Sequence, residues 1–256
     1  PVCGSHAQAS LPCFVFGAWP GSPLDRRAPS RRLRRQSLSA QGTATDPIRI
    51  ASTTAPGALG YHIAQRLDEA GELVAVGMGV DAVRAAVKAC IVASEKGTMR
   101  VQALLGKQVV MLPRWCKTSA PQRLVPLELC FRLGLVGDAA YASGNDEPLV
   151  AGRATNVGKL AGAIFKRQQA ADEAVIVAKG GNAITTVVKA SIVAETYLKR
   201  SLDQSQFRLA PEARMALLPG LSTAQRGDGS NFTFTRFRCV AMDESLHSPG
   251  QPMSRL

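Results

Sequence analysis

Shifted by 101 residues, positions 46–93 of this chain fall on 147–194 without a gap. The densest block sets GVDAVRAAVKACIVA (79–93) over GGNAITTVVKASIVA (180–194), with eight identities: Gly79/Gly180, Ala82/Ala183, Val87/Val188, Lys88/Lys189, Ala89/Ala190, Ile91/Ile192, Val92/Val193 and Ala93/Ala194. Upstream, Thr54/Thr155, Gly57/Gly158, Leu59/Leu160, Ile63/Ile164, Arg66/Arg167, Val74/Val175 and Val76/Val177 also match. Self-similarity at a fixed offset is the mark of a repeated structural unit. The fold therefore has to be solved once for two copies, spanning 46–134 and 147–242, with a small, acidic linker at 135–146.

Each copy reads as βαβαββ. A short apolar strand is expected at Ile48–Ala51 and at Leu149–Ala151. Thr54 and Thr155 follow as candidate helix N-caps, with Pro56 tolerated in the first turn. The first helix runs through Leu59, Ile63 and Leu67, and through Leu160, Ile164 and Phe165. A second strand covers Leu73–Val76 and Val175–Val177, and its nearly continuous apolar run suggests a covered sheet. The second helix opens at Asp81 and Asn182, both good cappers. Its stripe is Val83, Ala86, Val87, Cys90 and Ile91, matched by Ile184, Val187, Val188, Ser191 and Ile192, at helical spacing. Val92 and Val193 fall off that stripe beside Lys88 and Lys189, which predicts a second contact surface on each helix. Two long hairpins close the copies: Val101–Met111 and Leu124–Leu133 around a turn at Pro113–Pro121, then Phe207–Leu218 and Phe232–Met242 around a loop at Pro219–Ser230. Pro126 suggests an edge or a kink in the last strand of copy one. The expected fold class is α/β (α+β), each copy a mixed four-stranded sheet with two helices.

Charge narrows the partners. The chain carries +12 overall. Copy one has 11 basic and 7 acidic residues, copy two 13 and 7, so both are basic without help from the leader. A basic field attracts polyanions and speeds their association. The chain begins at Pro1 rather than Met, as a fragment or a processed product would. Residues 1–45 hold six Arg and one Asp among Pro, Ser, Ala and Gly. Such a leader suits an organelle transit peptide, plastid or mitochondrial, or a disordered basic tail of an intracellular protein. The tail at 243–256 reads as disordered. No apolar run is long enough to span a membrane. The six cysteines include no CxxC pair and the three histidines are scattered, so neither a metal nor a cofactor is expected; Cys90 and Cys130 read as buried thiols.

These elements and motifs resemble the Alba superfamily of small chromatin and RNA-binding proteins. GRATNVGKLAGAI (152–164) is similar to the family's first strand-to-helix segment, and VIVAKGGNAI (175–184) to the segment that ends in Gly-Arg-Ala-Ile. Copy one is nearer the stage V sporulation protein S branch, through APGALGYHIAQRLDEAGELVAVGMGVDAVRAAVKACIVA (55–93). The resemblance covers about 190 of the 256 residues. It implies dimer-like pairing of the copies, within one chain or between chains. It also implies binding of RNA or DNA through the loop before the first helix and through the hairpin arms. Arg153 stands where the first Lys of the family's pair would be, and Ala154 replaces the second. Asn182 stands where the Arg of Gly-Arg-Ala-Ile would be, with Lys179 nearby. In copy one Ser52, Thr53 and Thr54 occupy the loop and supply no cation.

The candidate nucleic-acid contacts are therefore Arg153, Lys159, Lys179 and Asn182, with Arg114, Lys117 and Arg123 on the first hairpin tip and Arg226 on the second. Trp115 adds an aromatic to the first tip. A Gly-containing loop at a helix start offers backbone amides and the positive dipole end to a phosphate, and Arg153 can add a bidentate grip. For Asn182, helix capping competes with ligand contact. Two other functions stay open. One is a protein–protein assembly module of the sporulation type. The other is a nucleotide-binding enzyme using the GxGxxA at 77–82, although copy two lacks its first glycine and no nucleophile–base pair stands out.

Overall fold

The structure, a computed structural model, describes residues 47–97, 108–116, 125–134, 147–171, 173–202, 213–225 and 227–243. The leader, the 135–146 linker, the tail beyond Asp243, and Lys117, Arg123 and Arg226 lie outside these residues. Two successive βαβαββ units are present. The first comprises β1 (Ile48–Ile50), α1 (Pro56–Ala70), β2 (Glu72–Gly77), α2 (Val80–Gly97), β3 (Gln108–Trp115) and β4 (Leu127–Gly134). The second comprises β5 (Leu149–Ala151), α3 (Val157–Ala171), β6 (Glu173–Ala178), α4 (Gly181–Leu202), β7 (Ala213–Gln225) and β8 (Asn231–Asp243).

The strands form one mixed α+β sheet in the order β1-β2-β4-β3-β7-β8-β6-β5. This corrects the expectation of two separate four-stranded sheets. β3 is buried along most of its length, and such a strand left at an edge would expose unpaired amides; β7 covers it. The pairing is symmetric. Ile48↔Ala75 matches Leu149↔Ile176, and Ala75↔Leu129 matches Ile176↔Phe237. At the seam, equivalent residues face each other, Met111↔Leu217. The 101-residue offset becomes 106 at β7 and 108 at β8, because α4 is 22 residues long against 18 for α2 and the second hairpin is the longer one.

All four helices cover one face. Their buried side chains form one cluster with alternate residues of the strands, among them Ile63, Val87, Met111, Phe131, Ile164, Val188, Leu217 and Phe237. The two second-helix stripes are buried as their spacing predicts. The opposite strand face carries a smaller cluster of Val110, Leu112, Cys130, Ala216 and Leu218. Val92 does not face the other copy. It packs on Gly60 of α1, where an added Cβ would lie 2.7 Å from Val92 Cβ. Between the helices, the two copies meet at the starts of α2 and α4, where a Cβ on Gly181 would stand 3.0 Å from Val80 Cγ1 and 3.5 Å from Arg84 Cδ.

The helix starts differ from the sequence reading by one residue or more. Thr54 and Thr155 close the preceding loops instead of capping. Thr54 Oγ1 accepts the Ala51 N–H (2.9 Å), and Thr155 Oγ1 accepts the Gly152 N–H (2.8 Å). Ala55 stands at the N-cap of α1 without a side-chain cap, while Asn156 Oδ1 caps α3 by accepting the Lys159 N–H (3.1 Å). Asp81 and Asn182 lie inside the first turns, and Gly79 and Gly180 precede them with φ of 87° and 88°. That left-handed conformation favours glycine, which explains the identity at this position. The glycine carbonyls accept the first helical bonds, from Val83 and Ile184.

The hairpins are also displaced. Pro113 and Pro219 lie within β3 and β7, opposite Leu129 and Phe237, and are not turn residues. By extension of the seam register, Pro113 falls opposite Met215 and Pro219 opposite Val109. Proline has no N–H to give a neighbouring strand, so the seam ladder stops at its central bridge. Glu195 of α4 fills one side of that gap. Its Oε2 accepts the Met215 N–H (3.1 Å) and Arg214 Nε (3.3 Å), while Arg214 Nη2 donates to the Pro113 carbonyl (3.5 Å). β4 is an interior strand, which corrects the edge inferred from Pro126. That proline sits just before the strand, where no ladder donor is needed, and its carbonyl accepts the Cys116 N–H (3.1 Å).

Candidate nucleic-acid interface

β5 and β6 run parallel with Ala151 opposite Ala178, so the loops that follow them emerge side by side. Arg153 lies two residues beyond that rung on one strand and Lys179 one residue beyond it on the other. The Gly152–Thr155 turn is closed by the threonine hydroxyl and by the Thr155 N–H to Gly152 carbonyl bond (3.3 Å), which leaves Arg153 and Ala154 exposed at its tip. α3 starts immediately afterwards and exposes Lys159 in its first turn. Asn182 is exposed in the first turn of α4. Four sequence candidates thus converge on one edge of copy two.

The other cations of the sheet are mostly neutralised. Arg132 pairs with Glu72 (2.7 Å), Arg238 with Glu173 (2.6 Å) and Arg214 with Glu195 (3.3 Å). Arg114 sits in β3, not on a hairpin tip, and pairs with Glu128. Trp115 ends the same strand with 40% of its surface exposed. Among the described residues, no carboxylate lies within ion-pair range of Arg153, Lys159 or Lys179. Lys179 Nζ instead lies 4.4 Å from the centre of the Phe232 ring. Copy one has no such edge: Ser52, Thr53 and Met78 occupy the matching positions, and Arg84 is tied to Asp81 (3.1 Å). Lys88 is exposed and Lys189 half-buried.

The Gly77–Ala82 segment reads differently in three dimensions. A Cβ on Gly77 would meet Ala82 Cβ at 3.4 Å and Ile50 Cβ at 3.8 Å, which is ordinary contact. Copy two places Ala178 there in the same register, so close packing between strand and helix accounts for the small residue. Burial holds the thiols of Cys90 and Cys239 well above their ordinary range, and raises that of Cys130 against the partial opposition of Arg132. At the tip of the second hairpin Asp228 Oδ1 accepts from the Ser230 N–H (2.9 Å) and hydroxyl (2.6 Å), which lowers its pKa. Among the described residues no group of three or more His, Cys, Asp or Glu is placed to hold a metal, and no helix is long and apolar enough to cross a membrane.

Sequence reasoning missed the contact between Lys179 and Phe232, and the tilted pair Phe232–Phe234 (ring centres 5.8 Å apart). The available signal was the i, i+2 spacing of the two rings, which puts them on one face of a strand. The chain matches no protein-family model, and a search of curated proteins finds no match.

Proposed function

We propose that this protein is a non-enzymatic nucleic-acid-binding protein of little sequence preference, an Alba-like pair of domains in one chain. The observation that carries the reading is the group of exposed cations Arg153, Lys159 and Lys179 at the shared end of β5 and β6, beside the start of α3. Phosphates suit this edge. A guanidinium grips two phosphate oxygens at once, and a helix start contributes its dipole and free amides. Asn182 lies close enough in sequence to Lys179 to add a neutral donor. Contacts to a phosphate backbone fix position without reading bases, so little sequence preference follows. The internal pairing of β3 with β7 and of α2 with α4 is consistent with the dimer-like arrangement that the resemblance implies.

The test is a filter-binding titration of the full chain on mixed-sequence RNA and DNA over a range of salt. Affinity should fall with log salt by roughly 0.7–0.9 per phosphate contact. Replacing Arg153 and Lys159 by Ala should reduce that slope by about 1.5 and weaken binding to all sequences alike. An unchanged titration would reject this edge. Absence of binding at low salt would reject the reading and favour an assembly module.

A further inference from the structure

The second hairpin outgrows its sheet. β6 stops pairing with β8 at Ala178↔Thr235, whereas β7 and β8 stay paired out to Gln225↔Asn231. The segment beyond Thr235 is a two-stranded ribbon that the rest of the sheet does not flank. On one of its faces the strands differ sharply in size. β8 presents Phe232, Phe234 and Arg236, and the cross-strand partners on β7 are Ala224, Ser222 and Gly220. The rings therefore stand beside a floor of small residues, and each is only half-buried. Lys179 reaches from the end of β6 to within 4.4 Å of the Phe232 ring centre, so a cation of the candidate edge and an aromatic of the arm form one surface. Copy one lacks the arrangement: Met78 stands for Lys179 and Pro126 for Phe234.

We infer that this ribbon is a stacking platform for unpaired bases, so that the protein prefers single-stranded nucleic acid to duplex. The inference rests on the nucleic-acid reading above and adds the form of the ligand to it. With Lys179 over the Phe232 ring, it is Phe234, tilted 42° to that ring on the projecting ribbon, that offers a base a π-face, one that a base inside a duplex cannot reach. A cation beside the rings holds the phosphate that joins the stacked nucleotides. Every base has a π-face, so the preference for unpaired strands carries little sequence preference with it.

The experiment is fluorescence anisotropy with the full chain and two probes: an unstructured, mixed-sequence DNA strand of about 20 nucleotides, and the same strand annealed to its complement. The wild-type protein should bind the single strand more tightly than the duplex. Replacing both rings, Phe232→Ala with Phe234→Ala, should weaken single-strand binding by roughly 5- to 100-fold per stacked base and leave duplex binding within about twofold. Phe232→Leu with Phe234→Leu keeps apolar bulk on the arm and removes the ring faces; it should give the same selective loss if stacking is the cause. Unfolding midpoints equal to wild type separate loss of stacking from loss of fold. Equal wild-type affinity for both probes, or an unchanged single-strand titration with the leucine pair, overturns the platform alone. Absence of binding to either probe at low salt overturns it together with the nucleic-acid reading.

Discussion

Gly60 sets how closely α1 approaches α2. A methyl group there would lie 2.7 Å from Val92 Cβ and 2.8 Å from the Ala89 carbonyl oxygen, and a backbone oxygen cannot rotate away. Alanine is the better helix former by up to ~1 kcal/mol, but overpacking a tight contact costs about 1–3 kcal/mol. Gly60→Ala should therefore lower stability by roughly 1–2 kcal/mol in urea unfolding, although copy two carries a buried Ala161 at the same position. A neutral or stabilising result would mean that the helices part freely. The cysteines give a second residue-level expectation. Only a thiolate attacks a thiol reagent, and burial keeps Cys90 and Cys239 protonated at neutral pH. Half-buried Cys116 should be alkylated in the native protein, while Cys90 and Cys239 should react only on unfolding, as peptide mapping by mass spectrometry would report. Equal native labelling of the three would contradict the buried placement.

Among the elements, α4 and β7 are held together by a carboxylate that copy one lacks. Glu195 serves the Met215 N–H, Arg214 and Lys199, whereas the matching residue of copy one is Ser94. Both Glu195 and Arg214 are largely buried, so Glu195→Ala should cost about 3 kcal/mol, seen as a lower denaturant midpoint at unchanged slope. A cost below about 0.5 kcal/mol would place the pair with weak surface bridges. The helices were readable from sequence because a buried stripe repeats at 3.6 residues, and Val83, Val87 and Ile91 keep that period through the core. The hairpins were misread because Pro113 and Pro219 signal turns locally. Their positions make sense only beside a neighbouring strand that asks for no donor, and that strand comes from the other copy. Thr54 and Thr155 misled for a related reason: a hydroxyl can close a loop three residues upstream as readily as it can cap a helix. The candidate edge was legible as residues on two loops; its union depended on the parallel β5–β6 rung. The Phe232–Lys179 contact depends on how far β8 runs past β6, which no local signal records.

At the scale of the molecule, the repeat was legible and the single sheet was not, because β3 and β7 meet through one register pair. The joint nonetheless covers a buried strand and the starts of α2 and α4. Residues 46–146 made alone should leave the flank of β3 and one face of α2 open. That fragment should self-associate, with β3 meeting its own copy around Met111, and light scattering should report a two-chain mass. A well-folded monomer would show that the seam is dispensable. In the full chain the partner is supplied in the same polypeptide, so dilution cannot separate it and the two halves meet at a fixed one-to-one ratio. A substitution in one half is never mirrored in the other. Met78 could stay apolar while its counterpart became Lys179, and one arm could gain rings that the other does without. A homodimer, which must change both halves at once, has no route to that division of labour.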